Sequence, residues 1–470
     1  MLRGLSEIRS FFRTNPTPIY FISPTPFNLL GMDRWVGNFH FINYFDCFNG
    51  RHPRTFVPTE LEQRPWQSME EMNCYLLRHP EVYEFVNRRG PGKAVFVMFD
   101  EEAEGLAAQL GLTVAHPTHA LRRRLDSKLV TTRLGNEAGV PSVPNVLGYA
   151  ASHDALLALA DGAGLGHDLV VQMAYGDSGR TTFFIKSVAD WDIAAAKHPV
   201  TNEELKVMRR IRNRALAVEA VITRHGTIVG PIMADLTGHP ELTPYKGGWC
   251  GNDVFPSVLT AAQRKAVRTH TQNLGERLKT EGFRGFFETD FLVDLDSGEI
   301  YLGEMNPRLS GITSMTDVTA GAYADMPLFL FHLLEYMDVD YRININEINK
   351  HAAQESMEIW SQAVIKQTDD ALGLITAAPK SGIWRMDSHG RISFVRDAND
   401  WTDLDTPNEV FYLAIAGPHD YRYRGLDLGI FVSRCRLQTD DGTKLTEIGR
   451  RWTNQFKEQF QSEPLPVPLV

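Results

Sequence analysis

Two acidic residues and an amide, set at two-residue spacing in an apolar run, could hold a metal ion. The run is residues 286–308, Phe286-Phe-Glu-Thr-Asp290-Phe-Leu-Val-Asp-Leu-Asp-Ser-Gly-Glu-Ile-Tyr-Leu-Gly-Glu304-Met-Asn306-Pro-Arg308. It reads as two β-strands joined by a tight turn at Asp296, Ser297 and Gly298. Strand side chains alternate, so Glu304, Asn306 and Arg308 share one face, and Asp290 can lie beside them across the hairpin. Two carboxylates and an amide oxygen are hard ligands suited to Mg²⁺, which takes one or two carboxylates together with substrate phosphates. Arg308 adds a fixed cationic fork at the edge of that site.

This hairpin resembles the metal-binding end of the ATP-grasp ligases, in their biotin carboxylase and carbamoyl-phosphate synthetase branch. The resemblance implies that Asp290, Glu304 and Asn306 hold Mg²⁺, or Mn²⁺ in its place, against the ATP triphosphate. It implies that Arg308 contacts the reacting carboxylate or acyl phosphate. It also implies the fold class, α/β (α+β). An N-terminal parallel α/β domain over 1–120 would precede the ATP-grasp domain over 121–340. A lid spans about 145–212, and a β-rich C-terminal domain fills 341–470.

The elements that must position the hairpin are visible upstream. Residues 19–23 and 94–99 are short apolar runs that read as buried strands. The second is followed by a helical pattern over 101–110 and a strand at Val114, the order of a parallel α/β domain. Aromatic residues between 35 and 45 read either as core or as pocket lining. From Asp126-Ser-Lys128 a helical pattern runs to Gly139, a C-cap, with Pro141 beyond it. It is similar to the family's D-K helix and G-V-P turn, which gives Lys128 a contact to ATP phosphate.

Residues 168–185 read as strand, glycine turn, strand. Gly176 and Gly179, with Ser178 between them, let backbone N–H groups approach a phosphate. The family usually carries a lysine at the end of the first strand. Here Gln172 stands there, which weakens ATP binding or moves the role to Arg180 or Lys186. The resemblance puts adenine contacts near Arg210 and Ile211, beside Met208, and turns Glu219 toward the nucleotide. Residues 240–253 form a turn-rich stretch, read either as an irregular connection or as a loop bringing Lys246 or Asn252 to the transferred phosphate. Residues 261–278 read as an amphipathic helix leading into the hairpin. After 340 come short strands with Gly, Asp and Asn turns, then a helix over 445–460.

A length of 470 residues suggests about three domains. A net charge of −10 argues against a nucleic-acid surface. Cys47, Cys74, Cys250 and Cys435 are scattered, which disfavours a zinc site or a disulfide scaffold. No apolar run is long enough for a signal or a membrane span, so a cytoplasmic protein is expected.

Biotin carboxylase carries a glutamate base after its arginine. Here Ile312 occupies that position, and no Met-Lys-Met biotin-carrier motif is present. Both absences favour a small organic carboxylic acid and an amine as substrates, an amino acid being one candidate. The expected activity is a carboxylate–amine ligase working through an acyl phosphate. The alternatives are an ATP-dependent N-carboxylase using bicarbonate, tested by bicarbonate-dependent ADP release, and a non-catalytic ATP-binding protein. A homodimer is compatible with the resemblance.

Overall fold

The computed structural model describes residues 1–62, 64, 66–176, 181–198, 200–255, 258–324, 326–353 and 359–465, with backbone alone for 319–324. The first strands are Ile19–Ser23 (β1), Phe39–Asn43 (β2), Thr55–Phe56 (β3), Lys93–Phe96 (β4) and Thr113–Val114 (β5). They make a parallel sheet in the order β3-β2-β1-β4-β5. β1 is buried along its whole length because both of its faces are covered. Ile19 and Phe21 pack with Phe329, Leu330 and Leu333, while Tyr20 and Ile22 pack with Met72, Leu76 and Phe85.

Helix Lys128–Glu137 (α1) leads from this unit into a small antiparallel sheet. Its strands are Asn145–Gly148 (β6), Leu169–Gln172 (β7), Thr182–Ile185 (β8) and Leu205–Arg209 (β9), in the order β6-β9-β7-β8. One face is apolar: Leu169, Val171, Ile185, Leu205 and Val207 pack with Leu156 and Trp191. Alternation therefore turns Gln172, Lys206 and Met208 to the other face, and Gln172 pairs directly with Lys206.

Ten further strands make one antiparallel sheet. They are Asn213–Thr223 (β10), Gly226–Thr237 (β11), Trp249–Val254 (β12), Gly285–Asp294 (β13), Ile300–Asn306 (β14), Trp360–Lys366 (β15), Gly382–Met386 (β16), Ile392–Arg396 (β17), Glu409–Ala414 (β18) and Asp427–Ser433 (β19). The order is β14-β13-β10-β11-β12-β15-β19-β18-β16-β17. Helix Ala261–Thr280 (α2) covers the outer face of the first strands, where Val267, Leu274 and Leu278 pack on Val218, Ala220 and Ile222. Helix Thr313–Ala324 (α3) begins over the inner face, where Met315 meets Ala217, Met233 and Val254. Helix Phe329–Tyr336 (α4) docks on the N-terminal sheet. Helix Glu447–Glu458 (α5) presses Trp452 and Phe456 onto Val410, Tyr412 and Phe431.

Two expectations change. The sheet runs across residue 340, because β15 pairs with β12, so the β-rich C-terminal region extends the central sheet. The turn-rich stretch over 240–253 ends as a buried strand, because Gly251, Asn252 and Asp253 find ladder partners on both sides. The four cysteines are unpaired. Among the described residues, no helix is long and apolar enough to cross a membrane.

Candidate active site

The hairpin of β13 and β14 places Asp290 opposite Glu304 and Glu288 opposite Asn306. A bulge follows Asp290, and the residue it leaves unpaired is Gly303. The Gly303 carbonyl accepts a hydrogen bond from Lys206 Nζ at 3.2 Å. Lys206 thus bridges from the small sheet to the large one, and it is fully buried. Burial lowers its pKa to about 8, against the opposing pull of Glu304.

A second lysine converges on the same carboxylate. Ser127 caps α1 by accepting from Val130 N, which fixes Lys128 as the first helical residue. Lys128 Nζ lies 2.8 Å from Glu304 Oε2 and donates to the Gly176 carbonyl at 3.0 Å. Gly176 has φ +148°, and a Cβ there would collide with Thr181. The Gly176 carbonyl can therefore reach Lys128 in this backbone conformation only with glycine at this position.

The carboxylates repel one another. Asp290 is pushed well above the usual range, first by burial and then by Glu288, Glu304 and Asp235. Glu288 rises to about 7, because burial outweighs the opposing Arg308 charge. Burial also pushes Glu304 upward, but Lys128 and Arg308 outweigh it and hold that carboxyl below its ordinary value. Such a cluster fits a divalent cation, with Asp290 and Glu304 as the oxygen donors. Asn306 fits less directly. Its Nδ2 donates to Glu288 at 3.1 Å, and its Oδ1 accepts from Arg308 Nη2 at 2.9 Å. In this orientation Asn306 holds Arg308 in place and does not offer its oxygen to a metal.

Among the described residues, the buried atoms Arg308 Nε, Gln172 Oε1 and Glu219 Oε2 near the cluster have no hydrogen-bond partner. An open guanidinium donor beside acidic residues suits an anionic substrate group. Ile312 is buried with Phe27, Leu30 and Met315, so its side chain serves packing.

Other expected residues fall differently. Glu219 is fully buried and accepts from Ser310 Oγ at 3.0 Å and Thr313 Oγ1 at 2.5 Å. It anchors the segment after Arg308 and has no surface turned to a nucleotide. Asn252 is also fully buried, inside the sheet rather than on a loop. Lys246 is exposed on the connection between β11 and β12, with no hydrogen bond or ion pair to the cluster among the described residues. Arg210 and Ile211 lie in the link between β9 and β10, where Arg210 sits 4.9 Å over the exposed ring of Phe184. Lys186 pairs with Asp168 at 3.0 Å, whereas Lys206 is the lysine of this sheet that reaches the β13–β14 hairpin. Ser178, Gly179 and Arg180 lie outside the described residues. Sequence reasoning missed Lys206, Glu288 and Asp235. The alternation Leu205, Lys206, Val207 was the available signal for the first, and the two-residue spacing to Asp290 for the second.

A scan against known protein families finds no match. Two curated relatives match part of the chain, both mitochondrial methylcrotonoyl-CoA carboxylase α subunits. The rice protein is 25% identical over 225 residues, which are 45% of this chain and 28% of that protein. The Arabidopsis thaliana protein is 22% identical over 221 residues, 46% of this chain and 29% of that one. The match thus spans under a third of the length of these relatives. Solved structures match far more of the chain. The biotin carboxylase domain of Hydrogenobacter thermophilus 2-oxoglutarate carboxylase, a complex with MgADP, ADP and bicarbonate, has TM-score 0.62 at 10% identity, covering 95% of this chain and 91% of its own. Biotin carboxylase from Campylobacter jejuni has TM-score 0.56 at 14% identity, covering 89% and 87%. Carboxyaminoimidazole ribonucleotide synthase from Aspergillus clavatus, complexed with ATP, has TM-score 0.52 at 12% identity, covering 89% and 94%. The chain therefore has the ATP-grasp fold, in the arrangement that biotin carboxylase and carboxyaminoimidazole ribonucleotide synthase share.

Proposed function

We propose that this chain is an ATP-dependent carboxylate–amine ligase that works through an acyl phosphate. The observation that carries the reading is the meeting of Asp290, Glu304, Lys128, Lys206 and Arg308 where the small sheet meets the large one. Lys128 and Lys206 would meet the ATP phosphates. Arg308, with its open Nε, would meet the carboxylate that is phosphorylated. Asp290 and Glu304 would hold Mg²⁺, which when bound offsets charge on the phosphates. Arg308 orients the carboxylate so that its oxygen bonds to the γ-phosphorus while the bridging bond to ADP breaks. The amine nitrogen then bonds to the acyl carbon, phosphate leaves, and the nitrogen loses a proton. Ile312, buried where biotin carboxylase has its glutamate, supports an organic acid over bicarbonate.

The test is ADP release from MgATP across a panel of carboxylic acids and amines, amino acids included, in bicarbonate-free buffer. The ligase reading expects release that needs an acid. It also expects hydroxamate when hydroxylamine replaces the amine. Strict dependence on added bicarbonate would replace this reading with an N-carboxylase, and tight ATP binding without turnover would replace it with a binding protein.

A further inference from the structure

A polar row runs across the inner face of the sheet beyond the metal carboxylates, and it ends on Asp235. Ser314 Oγ donates to Gln362 Oε1 at 2.7 Å. Gln362 Nε2 donates to Asn252 Oδ1 at 3.1 Å and to the Gly311 carbonyl at 2.8 Å. Trp249 Nε1 donates to the same Asn252 oxygen at 3.1 Å. With that oxygen occupied, Asn252 Nδ2 faces Asp235 and donates to its Oδ1 at 2.7 Å. Ser314, Gln362 and Asn252 are fully buried, whereas Asp235 and Trp249 are partly open. The row of hydrogen bonds thus ends on one carboxylate, and that carboxylate stands at the more open end.

The neighbours of Asp235 decide what it suits. Among the described residues its side chain receives one hydrogen bond, from Asn252. No cationic side chain pairs with it there, although Glu288 and Glu304 add negative charge around it. A structural role would be met by an amide, without the cost of a half-buried carboxylate beside two others. A divalent cation would need several oxygen ligands, yet the Asn252 oxygen is turned away to Trp249 and Gln362. An ammonium group is met by one carboxylate, and Trp249, tied to Asn252 on the same network, brings an indole to that side. Trp249 is also pressed against Gly311, where an added Cβ would come within 2.5 Å of the indole. The Gly311 carbonyl is tied to Gln362, and Arg308 lies three residues before it in the chain. The anion-binding arginine and Asp235 therefore belong to one held assembly.

We propose that Asp235, joined to Trp249 through Asn252, is the subsite for a substrate ammonium group, an inference that rests on the ligase reading for its place in the reaction. The ammonium belongs either to the amine nucleophile or to an amino acid that supplies the carboxylate. Both sources share the chemistry recognised here.

The direct test is ligand-observed NMR with n-butylammonium and its uncharged counterpart 1-butanol, with MgADP present to cover Asp290 and Glu304. The wild type is expected to prefer n-butylammonium by ~10-fold, and Asp235→Asn to abolish that preference. ADP affinity should stay unchanged in the variant, and its melting temperature should not fall. Trp249→Leu is expected to weaken n-butylammonium by about threefold. Equal binding by wild type and Asp235→Asn, or no preference over 1-butanol in the wild type, overturns the subsite. Hydroxylamine capture then separates the sources. A KM for the acid raised ~10-fold in Asp235→Asn assigns the ammonium to the amino acid. An unchanged KM, with n-butylammonium no longer competing against hydroxylamine, assigns it to the nucleophile. Either result upholds the subsite. No hydroxamate from any acid, with Asp235-dependent binding intact, would fault the ligase reading and leave the ammonium subsite standing.

Discussion

The two halves of the ten-stranded sheet are built alike and carry opposite inner faces. Both are antiparallel, and both have a helix on the outer side, α2 for one and α5 for the other. On the first half the inner face bears Glu304, Asp290, Glu288, Asp235 and Asn252. On the second half it bears Val364, Phe411, Leu413, Ile430 and Val432, packed with Phe27 and Leu30. Gln362 marks the change, on the first strand beyond β12. Strand pairing is therefore indifferent to what the face carries. The apolar half is covered by the chain itself, and the acidic half keeps several carboxylates together with few cationic partners.

The largest expected effect falls on the acidic half. Asp290→Asn and Glu304→Gln should each lower turnover by ~10³, about 4 kcal/mol of transition-state stabilisation, in steady-state ADP release. Asp290→Asn should also raise the melting temperature of the metal-free protein, because it removes one of several repelling charges. Near-normal activity of both variants at saturating Mg²⁺ would remove the metal site from the account.

The converse substitution tests the apolar half. Val432→Asp puts an unpaired carboxylate where the sheet has no ligand to receive it. It should destabilise the fold by about 3 kcal/mol or more in denaturant unfolding, with no compensating effect of MgATP. Tolerance of this charge would mean that the two faces do not differ as described.

The two lysines sharpen the acidic half further. Lys206→Met should cost ~10²-fold in kcat/KM for ATP, since a buried cation held near Glu304 meets charge as it develops. Lys128→Ala should raise KM for ATP by about tenfold with a smaller change in kcat, the pattern of a contact made in ground state and transition state alike. Equal and small effects from both would return them to structural ion pairing.

The smallest effect lies at the seam between the halves. Asp253 accepts the backbone N–H groups of Leu437 and Gln438 at 3.0–3.2 Å. Burial pushes its carboxyl up to about 7, against those hydrogen bonds. The folded chain then holds this proton more tightly than the unfolded chain, so its stabilising contribution is complete below pH ~4 and fades as pH rises to ~7. Relative to Asp253→Asn, the wild type should lose ~3 °C in melting temperature across that window. A constant difference between the two proteins would show that Asp253 does not titrate there.

The hairpin was readable from residues alone, because alternation and a short turn fix which side chains meet. The parallel N-terminal sheet was readable for the same reason, from buried apolar runs. Lys206 was not, since its neighbours Leu205 and Val207 belong to the core of one sheet while its amine reaches another. Only the crossing of β9 over the Gly303 bulge shows the contact. Asn252 was misplaced because the turn residues before it hid a strand whose partners, Asp235 and Gln362, lie 17 and 110 positions away. Glu219 carries the right chemistry on the right face, yet Ser310 and Thr313 close over it, and such a cover is a tertiary fact.

The most direct test of the central claim is the fate of a carboxylate oxygen. With the organic acid labelled with ¹⁸O in its carboxyl group, an acyl phosphate must pass one labelled oxygen to inorganic phosphate when the amine displaces it. The account predicts one ¹⁸O in the phosphate released per amide formed, in buffer free of bicarbonate. Unlabelled phosphate from the labelled acid, with label appearing only from [¹⁸O]bicarbonate, would contradict it.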